Sequence, residues 1–218
     1  MGWQNRIMEA ALRGEFDDVW AALREATHRR TAFTLGHLGT LGLDGIPQVR
    51  AVILRRADAG TGTVCFATHA RSAKISELRR ESGAGFTFYD DEAQVQLRLT
   101  GRAEIVADRA ERAEVWAGLG EHNRALYRDE AVPGSPLNSV PGSPLNGRLR
   151  DGAISGTSLV GGRAESSVEP GDEAGFERFA WVRIRVESMD TVHLSTPEHA
   201  RFRFERSPEG WSGAQVVP

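Results

Sequence analysis

Arg50 and Arg55 bracket an apolar run, Ala51-Val52-Ile53-Leu54. Further on, Ala67-Thr68-His69-Ala70-Arg71-Ser72-Ala73-Lys74 brings two hydroxyls, an arginine and a lysine to a point where the pattern turns from strand to helix. The free N–H groups of a helix start carry the positive end of its dipole and favour anions. Cations, hydroxyls and such a start together make a phosphate-binding chemistry. Gln96 and Arg98 follow on one face of a strand, an amide that donates and accepts beside a cation.

Lys74 is the only lysine among 27 basic residues. In an arginine-rich chain, it marks a place where a compact ammonium suits better than a guanidinium fork. Chance survival is the plain alternative.

These side chains need elements to hold them. Apolar spacing over 5–30 (Ile7, Leu12, Phe16, Val19, Trp20, Leu23) predicts an amphipathic helix, with Gly14 as a candidate break. Strands are expected at Thr31–Leu38, Pro47–Arg55 and Thr63–Thr68, with turns at Leu43–Gly45 and Asp58–Gly62. A short helix over Ser72–Arg80 has Ser72 as its N-cap. Gly85–Tyr89 and the alternating Gln94–Val106 read as strands, and 109–128 as helical. Val132–Gly147 holds a tandem repeat of Val-Pro-Gly-Ser-Pro-Leu-Asn and reads as a loop insertion, as does Gly161–Gly175. Phe179–Val186, Thr191–Leu194, Arg201–Glu205 and Trp211–Val217 complete a set of six to eight strands. Hairpin spacing with few helices predicts an antiparallel β-barrel with peripheral helices, a mainly β (α+β) fold.

Bulk properties exclude several classes. Net charge is −3, which gives no global field for nucleic acid or anionic membrane. No apolar run reaches the roughly 20 residues of a membrane span. The N-terminus has acids and no apolar core, unlike a signal peptide, so a cytoplasmic protein is expected. The single cysteine, Cys65, permits no internal disulfide and reads as core. No metal site is expected, because His193 and His199 lack a third ligand cluster. His37, His69 and His122 read as surface or hydrogen-bonded residues. No dinucleotide or Walker loop follows a strand, and no Ser/His/Asp or Cys/His arrangement has motif support.

Taken in order, Arg50-x-Val52-x-Leu54-Arg55, Phe66-x-Thr68, Arg71-Ser72-x-Lys74 and Gln96-x-Arg98-x-x-Gly101-x-Ala103-Glu104 resemble the pyridoxamine 5'-phosphate oxidase family of FMN-binding split barrels. Trp181–Asp190, His193-Leu194, Arg201-Phe202 and Trp211 with Val217-Pro218 extend the likeness to the C-terminus. The resemblance implies a split barrel over 31–218 with a helical segment, 1–30, packed on it. It implies FMN held by Arg50, Ala51, Val52, Ile53, Leu54, Arg55, Ala67, Thr68, Arg71, Ser72, Lys74, Gln96 and Arg201 (or Arg203), the last from the C-terminal region. Arg71, Ser72 and Lys74 would take the phosphate. It further implies a homodimer with the cofactor between subunits, Thr157 and Ser158 approaching from the partner, and a small-molecule substrate.

This sequence departs from the family where the substrate is held. Trp116, His122, Arg124, Tyr127 and the Pro/Gly loop stand after the Gln96 strand. The ending reads His199-Ala200-Arg201 instead of Arg-x-His. Ala73 replaces an arginine, with Arg71 as its stand-in. An FMN-dependent oxidoreductase acting on a C–N bond is therefore expected, with its substrate and any catalytic acid or base unassigned. A flavin or deazaflavin reductase, or a flavin- or haem-binding module without turnover, are the alternatives.

Overall fold

A computed structural model describes residues 2–136, 172–195 and 199–218, with side chains from residue 8 onward. The long N-terminal helix α1 spans Gly2–His28. Gly14 does not break it, and a side chain at that position would meet nothing. Leu12, Phe16, Val19, Trp20, Leu23 and Ala26 recur at helical spacing and pack into the main core.

Eight strands follow: β1 Leu35–Leu41, β2 Pro47–Asp58, β3 Thr63–His69, β4 Gly83–Asp90, β5 Val95–Ile105, β6 Phe179–His193, β7 Ala200–Ser207 and β8 Gly210–Val216. They form one antiparallel sheet in the order β3-β2-β1-β4-β5-β6-β7-β8, and β3 also pairs with β6. That last pairing closes six strands into a barrel and leaves β7–β8 as an extension. Strand β6 makes this possible by its length. Its first half, Phe179–Arg185, pairs with β3. Its second half, Ser188–His193, pairs with β7. The two strands expected from the sequence, Phe179–Val186 and Thr191–Leu194, are one continuous strand. A bulge does interrupt the register with β5, between Thr100 and Gly101, but the strand continues through it. Gly101 sits at the bulge, where a Cβ would overlap the Arg185 carbonyl.

Inward-facing Leu38, Val52, Leu54, Phe66, Phe86, Phe88, Leu97 and Leu99 fill the barrel by strand alternation. Gly36 leaves room for the Phe86 and Phe88 rings, whose centroids are 4.4 Å apart. Helix α2, Ala73–Arg80, and α1 sit at opposite ends. Thr34, just before β1, donates to the Ala26 carbonyl of α1 at 3.2 Å. Thr40, near the far end of β1, donates to Glu77 of α2 at 2.6 Å. Helices α3 (Arg109–Gly118), α4 (Glu121–Ala125) and α5 (Glu173–Arg178) cover the outside of β3 and β6. There Cys65, Trp116, Tyr127, Phe176, Phe179 and Trp181 form a second core.

Other boundaries also shift. The expected strand at Thr31 begins as a 3-10 turn, Ala32–Thr34, because Thr31 and Thr34 cap each other's backbone. The helical stretch 109–128 divides at Leu119-Gly120, where the backbone becomes extended. The end of the expected Gly161–Gly175 loop is the start of α5. Most of the repeated Pro/Gly/Ser segment, and Thr157 and Ser158, lie outside the described residues.

Candidate functional site

At the α2 end of the barrel, the predicted phosphate residues meet. Arg50 points inward from β2 and pairs with Glu77 of α2 at 2.7 Å. It also donates to the Thr40 hydroxyl. Glu77 is 5% exposed, so a buried carboxylate fixes the guanidinium from behind. Lys74, on the first turn of α2, donates to the Thr68 hydroxyl at 2.9 Å. No carboxylate lies within ion-pair distance of its amine among the described residues. Burial lowers the Lys74 pKa, nearby Arg50 lowers it further, and Glu77 opposes both.

Ser72 occupies the N-cap position with extended backbone, yet its hydroxyl makes no cap bond. It lies 3.4 Å from the Thr68 hydroxyl instead. The Ser72 carbonyl accepts from the Ile75 N–H at 3.0 Å, while the Ala73 and Lys74 N–H groups of the first turn get no bond from the serine. Thr40, Arg50, Thr68, Ser72, Lys74 and Glu77 thus make one cluster, with two cations against one anion.

His69 adds a group that spacing alone did not single out. Its Nδ1 accepts from the Arg71 backbone N–H at 3.1 Å, which puts the neutral ring's proton on Nε2. Nε2 is buried and has no partner among the described residues. Burial lowers the ring's pKa, and Arg71, Arg178 and Lys74 lower it further. An unsatisfied buried N–H among cations is what an anion would satisfy. The signal in the sequence was weak, a lone histidine inside the Thr68–Lys74 segment. Glu77 was equally hidden, as one acid in a charged helix.

The remaining predicted residues lie elsewhere. Val52 and Leu54 are buried in the barrel core, so only their backbone is available to a ligand. Ala51 and Ile53 face outward, and Ala67 packs against the second core. A bulge in β2 sets Leu54 opposite Phe66 and Arg56 opposite Cys65, with Arg55 as the extra residue. The bulge turns Arg55 outward, 3.4 Å from Asn123 of α4. Burial lowers the Arg55 pKa against the opposing influence of Tyr127, whose own phenol burial pushes up to about 12. Arg71 donates to the Glu130 carbonyl at 2.6 Å and is drawn toward the loop after α4. Lys74, Ser72, Thr68 and Arg50 thus lie together, while the Arg71 side chain reaches that loop.

Gln96 faces outward in a cross-sheet row with Tyr89, Val192 and Arg201. Its amide makes no hydrogen bond among the described residues. Arg201 grips Asp190 through two bonds, at 3.0 and 2.7 Å, and Arg98 joins the same carboxylate at 2.6 Å. Burial works against ionised Asp190, but these two arginines outweigh it and hold its pKa below the usual range. Arg203 pairs with Glu205. On β2 and the turn before it, Val49 is 68% exposed and Ile46 60%. Cys65 is buried, and its thiol is pushed up to about 12, as suits an inert core residue. No group of three metal-ligating side chains occurs among the described residues, and no described helix is long and apolar enough to cross a membrane.

Known proteins share this arrangement of strands. The described crystal structure of a pyridoxamine 5'-phosphate oxidase-related, FMN-binding protein from Nostoc punctiforme superposes with a TM-score of 0.66. It covers 92% of this chain and 96% of that one at 19% identity, a likeness of fold. Pyridoxine/pyridoxamine 5'-phosphate oxidase 2 of Arabidopsis thaliana is 29% identical over 109 residues, 47% of this chain and 54% of that protein. The chain therefore matches about half the length of that relative. Dihydrophenazinedicarboxylate synthase of Pseudomonas chlororaphis is 29% identical over 183 residues, 83% of this chain and 73% of that protein. The family model for pyridoxamine 5'-phosphate oxidase matches residues 20–141, more than half of the chain and the whole of the Arg50–Gln96 region. The closed six-stranded barrel, the order of its motifs and this match agree, and the chain belongs to the pyridoxamine 5'-phosphate oxidase family.

Proposed function

We propose that this protein is an FMN-dependent oxidoreductase that oxidises a C–N bond of a small molecule. The observation that carries the reading is the under-neutralised Lys74 amine at the start of α2, beside Arg50 and a Ser72 hydroxyl that does not cap the helix. A dianionic phosphate monoester would supply the missing counter-charge.

In this reading Lys74, Ser72, Thr68 and Arg50 hold the phosphate, and Glu77 keeps Arg50 in place. The β2 backbone from Arg50 to Arg55, with Ala67, borders the ribityl chain and ring. FMN held there would supply two-electron redox chemistry, as acceptor of a hydride equivalent from the substrate with oxygen as the final oxidant, reduced to hydrogen peroxide. Arg55 contributes positive charge, and Tyr127 beside it keeps its phenol proton at neutral pH. Gln96 and Arg201 offer polar groups from the outer sheet. The exposed apolar surface around Val49 and Ile46 suits a second copy of the chain, so the active form is a homodimer with the cofactor at its interface.

A second reading concerns the substrate. The match to dihydrophenazinedicarboxylate synthase spans 83% of the chain, against 47% for the plant oxidase. The wider match favours a carboxylated ring over a phosphorylated one. Purified protein that is yellow, bleaches with dithionite and consumes oxygen with an amine or reduced heterocycle supports the proposal. Protein that is colourless and takes up no added FMN overturns it. Oxygen consumption with pyridoxamine 5'-phosphate then separates the two substrate readings.

A further inference from the structure

A cleft of about 570 Å³ opens beside α2, between it, the end of β5 and the start of β6. That volume is within the usual range for small-molecule sites. Its lining mixes polar and apolar surface, the apolar part coming from Leu78 of α2, Ile105 at the end of β5, Val106 and Ala107 after it, and Ala180 of β6. Two arginines border it, Arg79 and Arg112, and no acidic residue does. On a helix of 3.6 residues per turn, Arg79 lies nearly opposite Glu77, so the cleft and the Arg50–Glu77 pair flank α2 on different sides.

The two arginines differ from most others in this chain. Arg109, one turn before Arg112, is neutralised by Glu173 and Glu177 at 2.6 and 2.8 Å. Arg112 has no carboxylate within ion-pair distance among the described residues. Two carbonyls fix its guanidinium, Phe179 O at 2.9 Å and Phe176 O at 3.2 Å. The Phe176 ring lies beneath it, 4.9 Å from its carbon. Its Nε–H is buried and takes no acceptor among the described residues. Arg79 makes no ion pair or hydrogen bond among the described residues. A guanidinium fixed without a carboxylate, an exposed arginine without an ion pair and a lining that is partly apolar together suit an anion with a hydrophobic body.

We propose that this cleft is a second ligand site, for a small aromatic or aliphatic carboxylate. The carboxylate meets Arg112 and Arg79, and the apolar body lies against Ile105 and Ala107, the more accessible apolar residues of the lining.

The test is calorimetric titration of the full chain with 2-naphthoate, and in parallel with neutral 2-naphthalenemethanol. The expected result is saturable binding of one naphthoate per chain, with the alcohol about tenfold or more weaker, as loss of charge-assisted hydrogen bonds implies. Arg79→Ala, at an exposed position, should weaken naphthoate and leave the alcohol unchanged. Ala107→Trp, which fills the cleft from its exposed rim, should abolish both. Lys74→Ala should leave naphthoate binding intact, which separates this site from the phosphate cluster. No saturable naphthoate binding, equal affinity for the alcohol, or binding that survives Ala107→Trp in folded protein would overturn the proposal. Loss of naphthoate on Lys74→Ala would overturn it as well, by placing the ligand at the other site.

Discussion

The Arg50 guanidinium lies 2.7 Å from the Glu77 carboxylate, and both touch the Thr40 hydroxyl. The contact links β1, β2 and α2 at one end of the barrel. It also aims a cation beside Lys74 while leaving the cluster with excess positive charge. Glu77 is the more buried partner, so the pair depends on its hydrogen bonds more than on bare attraction.

Glu77→Ala should therefore destabilise the protein by about 1–3 kcal/mol, since it leaves two cations unopposed in a part-buried site. Glu77→Gln should recover part of this, because an amide oxygen still accepts from Thr40 and Arg50. Urea denaturation measures both. Equal and small losses, below about 0.5 kcal/mol, would show that the carboxylate does not hold Arg50.

Binding of a phosphate ligand should depend on the Lys74 proton. Burial lowers this group's pKa in the free protein, and a bound dianion raises it again. Affinity for FMN should therefore fall as pH rises through the Lys74 pKa of the free protein, starting below the ordinary lysine value. Riboflavin shares the ring ionisation but lacks the phosphate, so it should show no such limb. Fluorescence titrations from pH 7 to 10.5 compare them, and parallel profiles would contradict the assignment.

His69 predicts an acid-side effect of opposite origin. Its folded pKa is lowered by burial and by Arg71, Arg178 and Lys74, so the unfolded chain takes up the proton first as pH falls. Stability should decline from the unfolded histidine's pKa, about 6.5, downward to the lowered folded value. His69→Gln should remove that part of the decline. Melting temperatures of both proteins at pH 5 and 7 give the comparison, and an identical slope would argue against it.

Gly101→Ala should cost about 1–3 kcal/mol or more, because the new methyl would meet the Arg185 carbonyl at the β5–β6 bulge. Denaturation midpoints check this. A neutral substitution would mean that the two backbones separate there at little cost.

Strand alternation made much of this architecture legible. Val95, Leu97 and Leu99 point one way and Gln96 and Arg98 the other, as the period of two requires. The turn from strand to helix at Ser72 was equally readable. Alternation could not reveal the bulge that turns Arg55 toward Asn123, because an extra residue is set by the partner strand. It could not join the two parts of β6, since Glu187 and Ser188 interrupt the apolar pattern at the bulge opposite Gly101. Nor did a local pattern disclose Glu77, whose meaning comes from Arg50 and Thr40 on distant strands. Nor could the motif show that the Arg71 side chain reaches the Glu130 carbonyl, 59 residues further on.

Parallel titration of FMN and riboflavin into the protein and its Lys74→Ala variant tests the phosphate cluster most directly. The protein should bind one FMN per chain and hold riboflavin about tenfold or more weaker, a gap set by charge-assisted hydrogen bonds to the phosphate. Lys74→Ala should narrow that gap by weakening FMN alone. Uptake of neither flavin, or an equal loss of both in the variant, would contradict the account.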